Sequence, residues 1–321
     1  MKSRLLLTLR CAFWSALVIS ASIVSAQAVV PGTGTLLTEV GDDFEDAEWS
    51  FNPNLPKVTN FEDTTHSKNF PLGASANGRW HEGSKRGQPD SVRRVETPPE
   101  GLPGSTGAIA LRSLRTGSTY PTNQQQQDDF ICNLADKIGT IPVGRTPNVV
   151  TRVWMPPLDQ WEKRNGCHFA FRIALVRPST MSYSGRGRYR QASSSAEDDL
   201  YWPGFFLNRE PGTDAKTGEK VDRVYFWMKA TADSRAIKGP DVEQFGWWTL
   251  GMSVTPDGQV HYFAKPGVED LTAKDHVASA FPFGNRAITF RTFFFNVCNG
   301  DDGKTWSTEF IVDDSKVYLG K

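Results

Sequence analysis

Five cations and four large aromatics fall at alternating positions of runs that read as β-strands. The cations are Arg112, Arg152, Arg172, Arg223 and Lys265; the aromatics are Trp154, Tyr225, Trp227 and Trp247. Arginine grips carboxylates and sulfates through paired hydrogen bonds, and lysine acts as a point charge. Aromatic faces suit the C–H faces of sugar rings. Together these types predict a carbohydrate ligand, and an anionic one. His261 is the side chain singled out for proton transfer, because imidazole titrates near neutral pH. The plainer alternative stays open for each residue: aromatics tucked under loops, arginines solvating a surface, and His261 a partly exposed strand residue.

These side chains matter only if strands present them, and the chain is rich in strand signals. Short β-prone runs alternate with Pro and Gly turns, without heptads, internal repeats or convincing amphipathic helices. Strands are expected at 42–49, 108–114, 148–155, 168–176, 204–208, 223–229, 247–254, 259–264, 288–297 and 306–312. Residues 52–105 read as long loops with little regular structure. Glu210 to Lys220 reads as a polar turn region, and Gln124 to Gln127 as a solvated loop. Ser179 to Asp199, poor in apolar residues, reads as mobile.

Alternation assigns faces within each strand. Around 247–265 the apolar set is Trp248, Leu250, Met252, Val254, Val260, Tyr262 and Ala264, all at even positions. Side chains of a strand alternate between faces, so even must stay opposite even. A three-residue loop, Pro256-Asp257-Gly258, does this and pairs Val254 with Val260, Ser253 with His261 and Met252 with Tyr262. Proline presets the first turn position and glycine supplies the left-handed residue. The same test buries Val224, Phe226 and Met228, leaving Arg223, Tyr225 and Trp227 opposite. It buries Phe169, Phe171, Ile173 and Leu175, leaving Arg172. It buries Val149, Thr151, Val153 and Met155, leaving Arg152 and Trp154. One apolar face per strand predicts an all-β, two-sheet antiparallel sandwich with one outer face modified for a ligand.

The start of the chain reads as a targeting segment. Lys2, Arg4 and Arg10 precede an apolar stretch from Cys11 to Val24, and small residues follow near Ala26. This predicts a signal peptide at 1–26, a lead-in at 27–41 and a single sandwich domain at 42–321, secreted to the extracellular or periplasmic space. No other segment is apolar enough for a membrane span after signal cleavage. The whole chain balances 36 basic against 36 acidic residues, and the leader's cations leave the mature part slightly acidic. A nucleic-acid partner would call for a basic domain. Cys132, Cys167 and Cys298 remain, an odd count without metal-ligand spacing. Either all are core thiols or one disulfide joins two of them.

Three segments carry a family resemblance. Asp42-Asp43-Phe44-Glu45-Asp46 resembles the first strand of concanavalin A-like jelly rolls. Glu309-Phe310-Ile311-Val312-Asp313-Asp314-Ser315-Lys316-Val317 resembles their closing strand. Trp248-Thr249-Leu250-Gly251 with Pro256-Asp257-Gly258-Gln259-Val260-His261-Tyr262-Phe263 resembles the hairpin of their concave sheet. The chain also looks like members of a secreted bacterial family with this sandwich. The resemblance spans about residues 42–318 and implies the jelly-roll fold. Lectins, glycoside hydrolases, polysaccharide lyases and binding modules all use that fold, so it implies no single activity.

What those families use can be sought residue by residue. Their glycosidases carry carboxylates at E-x-D-x-x-E spacing on one strand, and this chain has no such spacing. Alginate-lyase-like members use a Gln-x-His strand, which Gln259-Val260-His261 resembles. Their arginine strand is matched poorly by Arg112-Ser113-Leu114-Arg115, which lacks the glutamate. Their Tyr/Lys segment lies on a separate strand, whereas Tyr262-Phe263-Ala264-Lys265 follows His261 directly. The resemblance also implies a structural Ca²⁺, for which Asp42, Asp43, Asp301, Asp302 and Asp313 are the acidic candidates, with Asp314 and the Asn299–Gly303 loop beside them. Turn formation alone explains the same residues. Three functions therefore stand: a glycan-binding protein reading an acidic polysaccharide on the concave face, a lyase or glycosidase, and a structural or adhesive surface protein.

Overall fold

The computed structural model describes residues 27–53, 55, 57–58, 72–116, 121–178, 182–184, 191–193, 199–213, 216–229 and 235–320. The expected leader, and most of the 179–199 segment expected to be mobile, lie outside these residues. Two antiparallel sheets pack face to face, the sandwich that the concanavalin A-like resemblance implies. The smaller sheet has the spatial order His276–Ala280, Val260–Pro266, Gly246–Val254, Pro147–Met155, Phe310–Leu319, Ala108–Arg112 and Ser91–Val95, with Thr35–Leu36 added beside Phe310–Leu319. The larger runs Ala236–Asp241, Lys220–Lys229, Gly204–Thr213, Gly166–Val176, Thr289–Asn299, Gln126–Cys132, Trp80–Glu82, Ala74–Ser75 and Phe51–Asn52. A short helix, Leu134–Ile138, follows Gln126–Cys132.

The alternation read from sequence is the alternation that packs. Met252, Val254, Val260 and Tyr262 lie in the central core, which also takes Phe169, Phe171, Ile173, Val224, Phe226 and Met228. The hairpin pairs Val254 with Val260, Ser253 with His261 and Met252 with Tyr262. Thr255 donates its backbone N–H to Gln259 across the three-residue loop, and Gly258 sits at φ 80°. Only a residue without Cβ tolerates that conformation and the nearby Ala287 backbone.

Several expectations need correction. Asp42–Trp49 is not a strand: it makes one bridge, Asp42 to Ser315, and otherwise runs irregularly with a turn at 47–48. Segment 52–105 contains three strands, and Trp80 in one of them is fully buried. Its ring stacks on Phe130 at 4.6 Å, so apolar burial overrides the Gly- and Pro-rich composition around it. The polar turn expected at 210–220 is shorter: Glu210 to Thr213 and Lys220 are strand, with Glu210 opposite Arg223 and Thr213 opposite Lys220, and the turn lies at 216–217. Gln126 and Gln127 open a strand and are not a solvated loop. The last strand begins at Phe310, not at Trp306.

Buried charge anchors the strand that reaches the site. Asp128 shares the inward parity of Phe130, and Lys57 Nζ meets it at 2.7 Å while also contacting Asp90 at 3.0 Å. Ser113 donates a further bond to Asp128 at 2.7 Å. A buried carboxylate needs such partners. With Asp128 held inside, its neighbours Gln127 and Asp129 face outward.

Candidate functional site

The side chains singled out by sequence do not share one face. Arg152, Trp154, Trp247, His261 and Lys265 stand on the smaller sheet, with Arg112 on its strand Ala108–Arg112. Arg172, Arg223, Tyr225 and Trp227 stand on the larger sheet. The two outer faces lie on opposite sides of the sandwich.

The smaller sheet's set is occupied by its own chain. Arg152, 3% exposed, donates to Asp314 at 2.6 Å, Asp270 at 2.7 Å and the Val268 carbonyl at 3.2 Å. Trp247 and Trp154 join a small apolar cluster with Ala108, Ala110 and Ile311. The Trp247 indole donates to Pro99 at 3.1 Å, so the loop after Val95 lies over it. Lys265 donates to the Asp270 carbonyl at 2.7 Å, and Arg112 to the Ser307 carbonyl at 3.2 Å while lying over Trp306.

His261 is buried within a chain of hydrogen bonds. Its Nδ1 lies 2.6 Å from Ser279 Oγ and its Nε2 lies 2.9 Å from Thr255 Oγ1. Thr255 donates to Asp257 at 2.6 Å, which obliges it to accept from His261. The ring is therefore protonated on Nε2 and takes the Ser279 proton on Nδ1, an assignment made from the network. Burial first, then the proximity of His276, pushes its pKa down to about 4.

The larger sheet's outer face carries a groove of about 240 Å³. Arg172 stands on its floor between Phe294 of the neighbouring strand and the Trp202 carbonyl. Trp202 accepts from Arg172 Nε at 3.1 Å and Nη2 at 2.7 Å, and Asn296 Oδ1 accepts from Nη1 at 3.1 Å. These bonds use three of the five guanidinium N–H groups. Asn296 passes the link on, donating to Asp129 at 2.6 Å, and Gln127 donates to the same oxygen at 2.9 Å. The guanidinium lies 5.1 Å from the Phe206 ring and 5.3 Å from that of Phe294. Phe206 packs on Trp227 at 5.0 Å, and the Trp227 indole nitrogen has no partner among the described residues.

A tight loop supplies the rim. Gly83 and Gly87 exchange backbone hydrogen bonds, and Ser84, Lys85 and Arg86 between them line the groove. A Cβ at Gly83 would sit 2.8 Å from Asp129 Cβ, and one at Gly87 would sit 2.2 Å from the Val58 carbonyl. Both glycines are needed for close approach. His81 enters from the next strand, opposite Ile131. Its Nδ1 lies 2.8 Å from the Glu82 carbonyl, which can only accept. The proton is therefore on Nδ1 and the lone pair on Nε2. Burial holds its pKa below the ordinary value.

Among the described residues, Lys85, Arg86, Arg172 and Arg291 line the groove. Burial pushes Arg172 down to about 10, Asp129 opposing the shift and Arg86 adding to it. Burial and the charges of Arg172 and Arg86 also depress Lys229. Cations that lower one another's proton affinity share a region of positive potential. Asp129 is the one acid lining the groove among the described residues, and burial raises its pKa. Arg223 and Tyr225 lie further along the strand and already have acidic partners: Arg223 pairs with Asp241 at 3.3 Å, and the Tyr225 hydroxyl donates to Glu210 at 2.9 Å. Carboxylates therefore stand beside the cations of this face.

The acidic residues considered for Ca²⁺ are hydrogen-bonded within the chain. Asp42 accepts from the Phe44 backbone, the Trp49 indole and Asn77, and Asp43 from the Glu45 backbone. Both line a second cavity that Arg79 and Lys316 also enter. Asp301 accepts from Thr116 and Thr122. Asp302 accepts from Lys304 and Thr305, the Thr305 hydroxyl first among the bonds that hold its pKa down to about 2. Asp313 accepts from Ser105 and the Asp314 backbone, and burial pushes it up to about 7. Among the described residues no three His, Cys, Asp or Glu side chains form a metal-holding group. Asp42, Asp43 and Asp302 accept from backbone N–H groups two or three residues on, the bonds of turns, whereas Asp301 and Asp313 bind side chains distant in sequence.

The sequence reading missed His81, Gln127, Asp129, Trp202, Arg291, Phe294 and Asn296 in the groove. The alternation test finds several of them. Phe293, Phe295 and Val297 point inward, so Phe294 and Asn296 must point out; Phe130 and Cys132 inward leave Gln127 and Asp129 outward.

No protein-family model matches the chain, and no curated protein matches it in sequence. Solved structures resemble it at low identity. A carbohydrate esterase from the Shiga toxin-encoding bacteriophage phi24B is 11% identical, with 83% of this chain and 97% of that one covered and a TM-score of 0.41. A GH131 β-glucanase catalytic domain from Podospora anserina is 10% identical, covering 84% and 86%, with a TM-score of 0.38. An alginate lyase from Pseudomonas aeruginosa is 12% identical, covering 72% and 87%, with a TM-score of 0.38. Among the described residues no helix is long and apolar enough to cross a membrane.

Proposed function

We propose that this protein is exported and binds an anionic glycan, a uronate-containing polysaccharide, in the groove of the larger sheet. The observation that carries this reading is Arg172. It is held by Trp202 and Asn296, its charge is disfavoured by burial, and three of its five N–H groups are used, which leaves two for a ligand. A carboxylate on a sugar would accept those bonds and offset the cost of burying the guanidinium charge. Trp202, Phe294 and the Phe206–Trp227 pair offer apolar surface along the same face for the ring. Export rests on the basic start and apolar stretch of residues 1–26.

The polysaccharide-lyase reading has one specific observation in its favour. Lyase chemistry neutralises a uronate carboxylate and then removes a proton with a base. Arg172 suits the first task. His81, neutral and with its lone pair on Nε2, lines the same groove and suits the second.

One experiment separates the readings. Uronate and neutral oligosaccharides are offered to the protein at low and high salt, and the ultraviolet absorbance of an unsaturated uronate product is followed. Salt-sensitive binding of the uronate without absorbance supports the binding protein. Absorbance that His81→Ala abolishes supports the lyase. Absence of binding by any glycan rejects both and favours the adhesive or structural role.

A further inference from the structure

Cys167 and Cys298 come from the adjacent strands Gly166–Val176 and Thr289–Asn299. Their sulfur atoms lie 3.9 Å apart. The register shift between Cys167 and Phe169 turns Cys167 outward beside Cys298, in a small cluster with Ala170, Phe206 and Trp227. Arg164 clamps the two backbones together, donating from Nη2 to the Cys167 carbonyl at 2.6 Å and to the Cys298 carbonyl at 3.0 Å. Gln125 accepts from the Cys167 backbone at 2.9 Å. Cys132 is elsewhere, in the core between the sheets.

We propose that Cys167 and Cys298 form a redox pair that closes to a cross-strand disulfide by exchange with a low-molecular-weight disulfide such as oxidised glutathione. The Cys167 thiolate attacks one sulfur of the reagent, forming a mixed disulfide and releasing one thiol. The Cys298 sulfur then attacks Cys167, forming the protein disulfide and releasing the second thiol after its own proton leaves. Two protein thiols and one disulfide thus become one protein disulfide and two small thiols. The sulfurs must close by roughly 2 Å to reach the bonded distance of ~2.05 Å, a shift within the range of side-chain rotation on neighbouring strands.

The pair is asymmetric in a way that fits this order. The hydrogen bond from Cys298, then the charges of Arg164 and Arg172, hold the Cys167 thiol below its ordinary pKa, while the same contact raises Cys298. The thiolate is the attacking species, so Cys167 leads. Burial pushes Cys132 up to about 12, which keeps it out of the exchange. The bridge would join positions separated by 131 residues, a long loop whose closure constrains the unfolded chain.

The test does not depend on the groove having a ligand. The full chain is reduced, unfolded and refolded in a glutathione buffer, so that burial does not limit access, and free thiols are alkylated and mapped by mass spectrometry. The expected result is a peptide cross-linking Cys167 to Cys298, a single alkylated thiol at Cys132, and a thermal midpoint raised by roughly 5–10 °C that dithiothreitol removes. The Cys298→Ser variant should show no bridge and a midpoint indifferent to dithiothreitol. Three alkylatable thiols, a bridge that includes Cys132, or a Cys298→Ser midpoint that still responds to dithiothreitol would overturn the assignment.

Discussion

Asn296 donates a 2.6 Å hydrogen bond from its amide to Asp129 across two neighbouring strands of the larger sheet. The oxygen of the same amide accepts from Arg172, so one side chain holds an acid and a cation in fixed relation. Asp129 is half-buried, and burial raises its pKa. Asn296→Ala removes a donor from a half-buried carboxylate, which costs about 1–3 kcal/mol. Urea unfolding at pH 7 should show that loss, with an unchanged denaturant slope. A variant as stable as the parent would mean that Asp129 is neutral or finds another donor.

Replacement of Arg172 tests geometry apart from charge. Arg172→Ala should weaken uronate binding roughly 10- to 100-fold, the loss expected for one or two charge-assisted hydrogen bonds. Arg172→Lys keeps the charge but lacks the planar fork that reaches Trp202, Asn296 and a ligand from separate nitrogens. It should recover little of the lost affinity. Titration calorimetry of both variants with a uronate oligosaccharide decides this, and full recovery by lysine would show that the site reads charge alone.

How much of this was legible follows from what alternation does and does not encode. The hairpin around Pro256-Asp257-Gly258 was legible to the pair, because the apolar residues on both sides fix parity and the turn fixes length. Alternation says which face of a strand is buried. It does not say which of two sheets the strand joins. Arg152 and Trp247 were thus pooled with Arg172 and Trp227, although a whole core separates them. The groove draws His81, Asp129, Arg172 and Asn296 from four strands distant in sequence, and their register is set by tertiary pairing. Trp80 was missed for a related reason. Its strand is three residues long, too short for any period, and its burial comes from Phe44, Phe130 and Phe293 arriving from elsewhere.

The rim loop makes a separate prediction. A methyl group at Gly83 meets Asp129 at 2.8 Å, and the carbon it meets is close to the backbone. Gly83→Ala should therefore cost about 1–3 kcal/mol by overpacking and displace Lys85 and Arg86 from the groove. Gly144→Ala is the control, since nothing lies within 4 Å of its Cβ position. It should be neutral or stabilise slightly through the unfolded chain. Thermal midpoints of the two variants, measured side by side with uronate binding, test both statements; equal midpoints would mean that the loop yields freely.

Acid stability should be governed in part by two buried histidines. His261 is pushed down to about 4, by burial and then His276; His168 is pushed down to about 3, by burial and then Arg164. Both rings are buried, His168 between Thr308 and the Arg164 carbonyl, His261 between Ser279 and Thr255. The unfolded chain binds these protons near pH ~6.5, well before the folded one does. Stability from each ring is complete above that pH and is lost as pH falls toward the folded value. At pH 5 the loss is about 2 kcal/mol for each. Asp313, raised to about 7 by burial, works in the opposite sense, since its contribution is present at low pH and fades as pH rises through 7. The slope of the parent protein alone is therefore a sum, and the variants isolate the histidines. His261→Gln keeps the size and cannot be protonated. The difference in unfolding free energy between pH 7 and pH 5 should shift by about 2 kcal/mol relative to the parent, toward less acid sensitivity. An identical pH dependence in parent and variant would mean that His261 takes its proton as easily in the folded protein as in the unfolded chain.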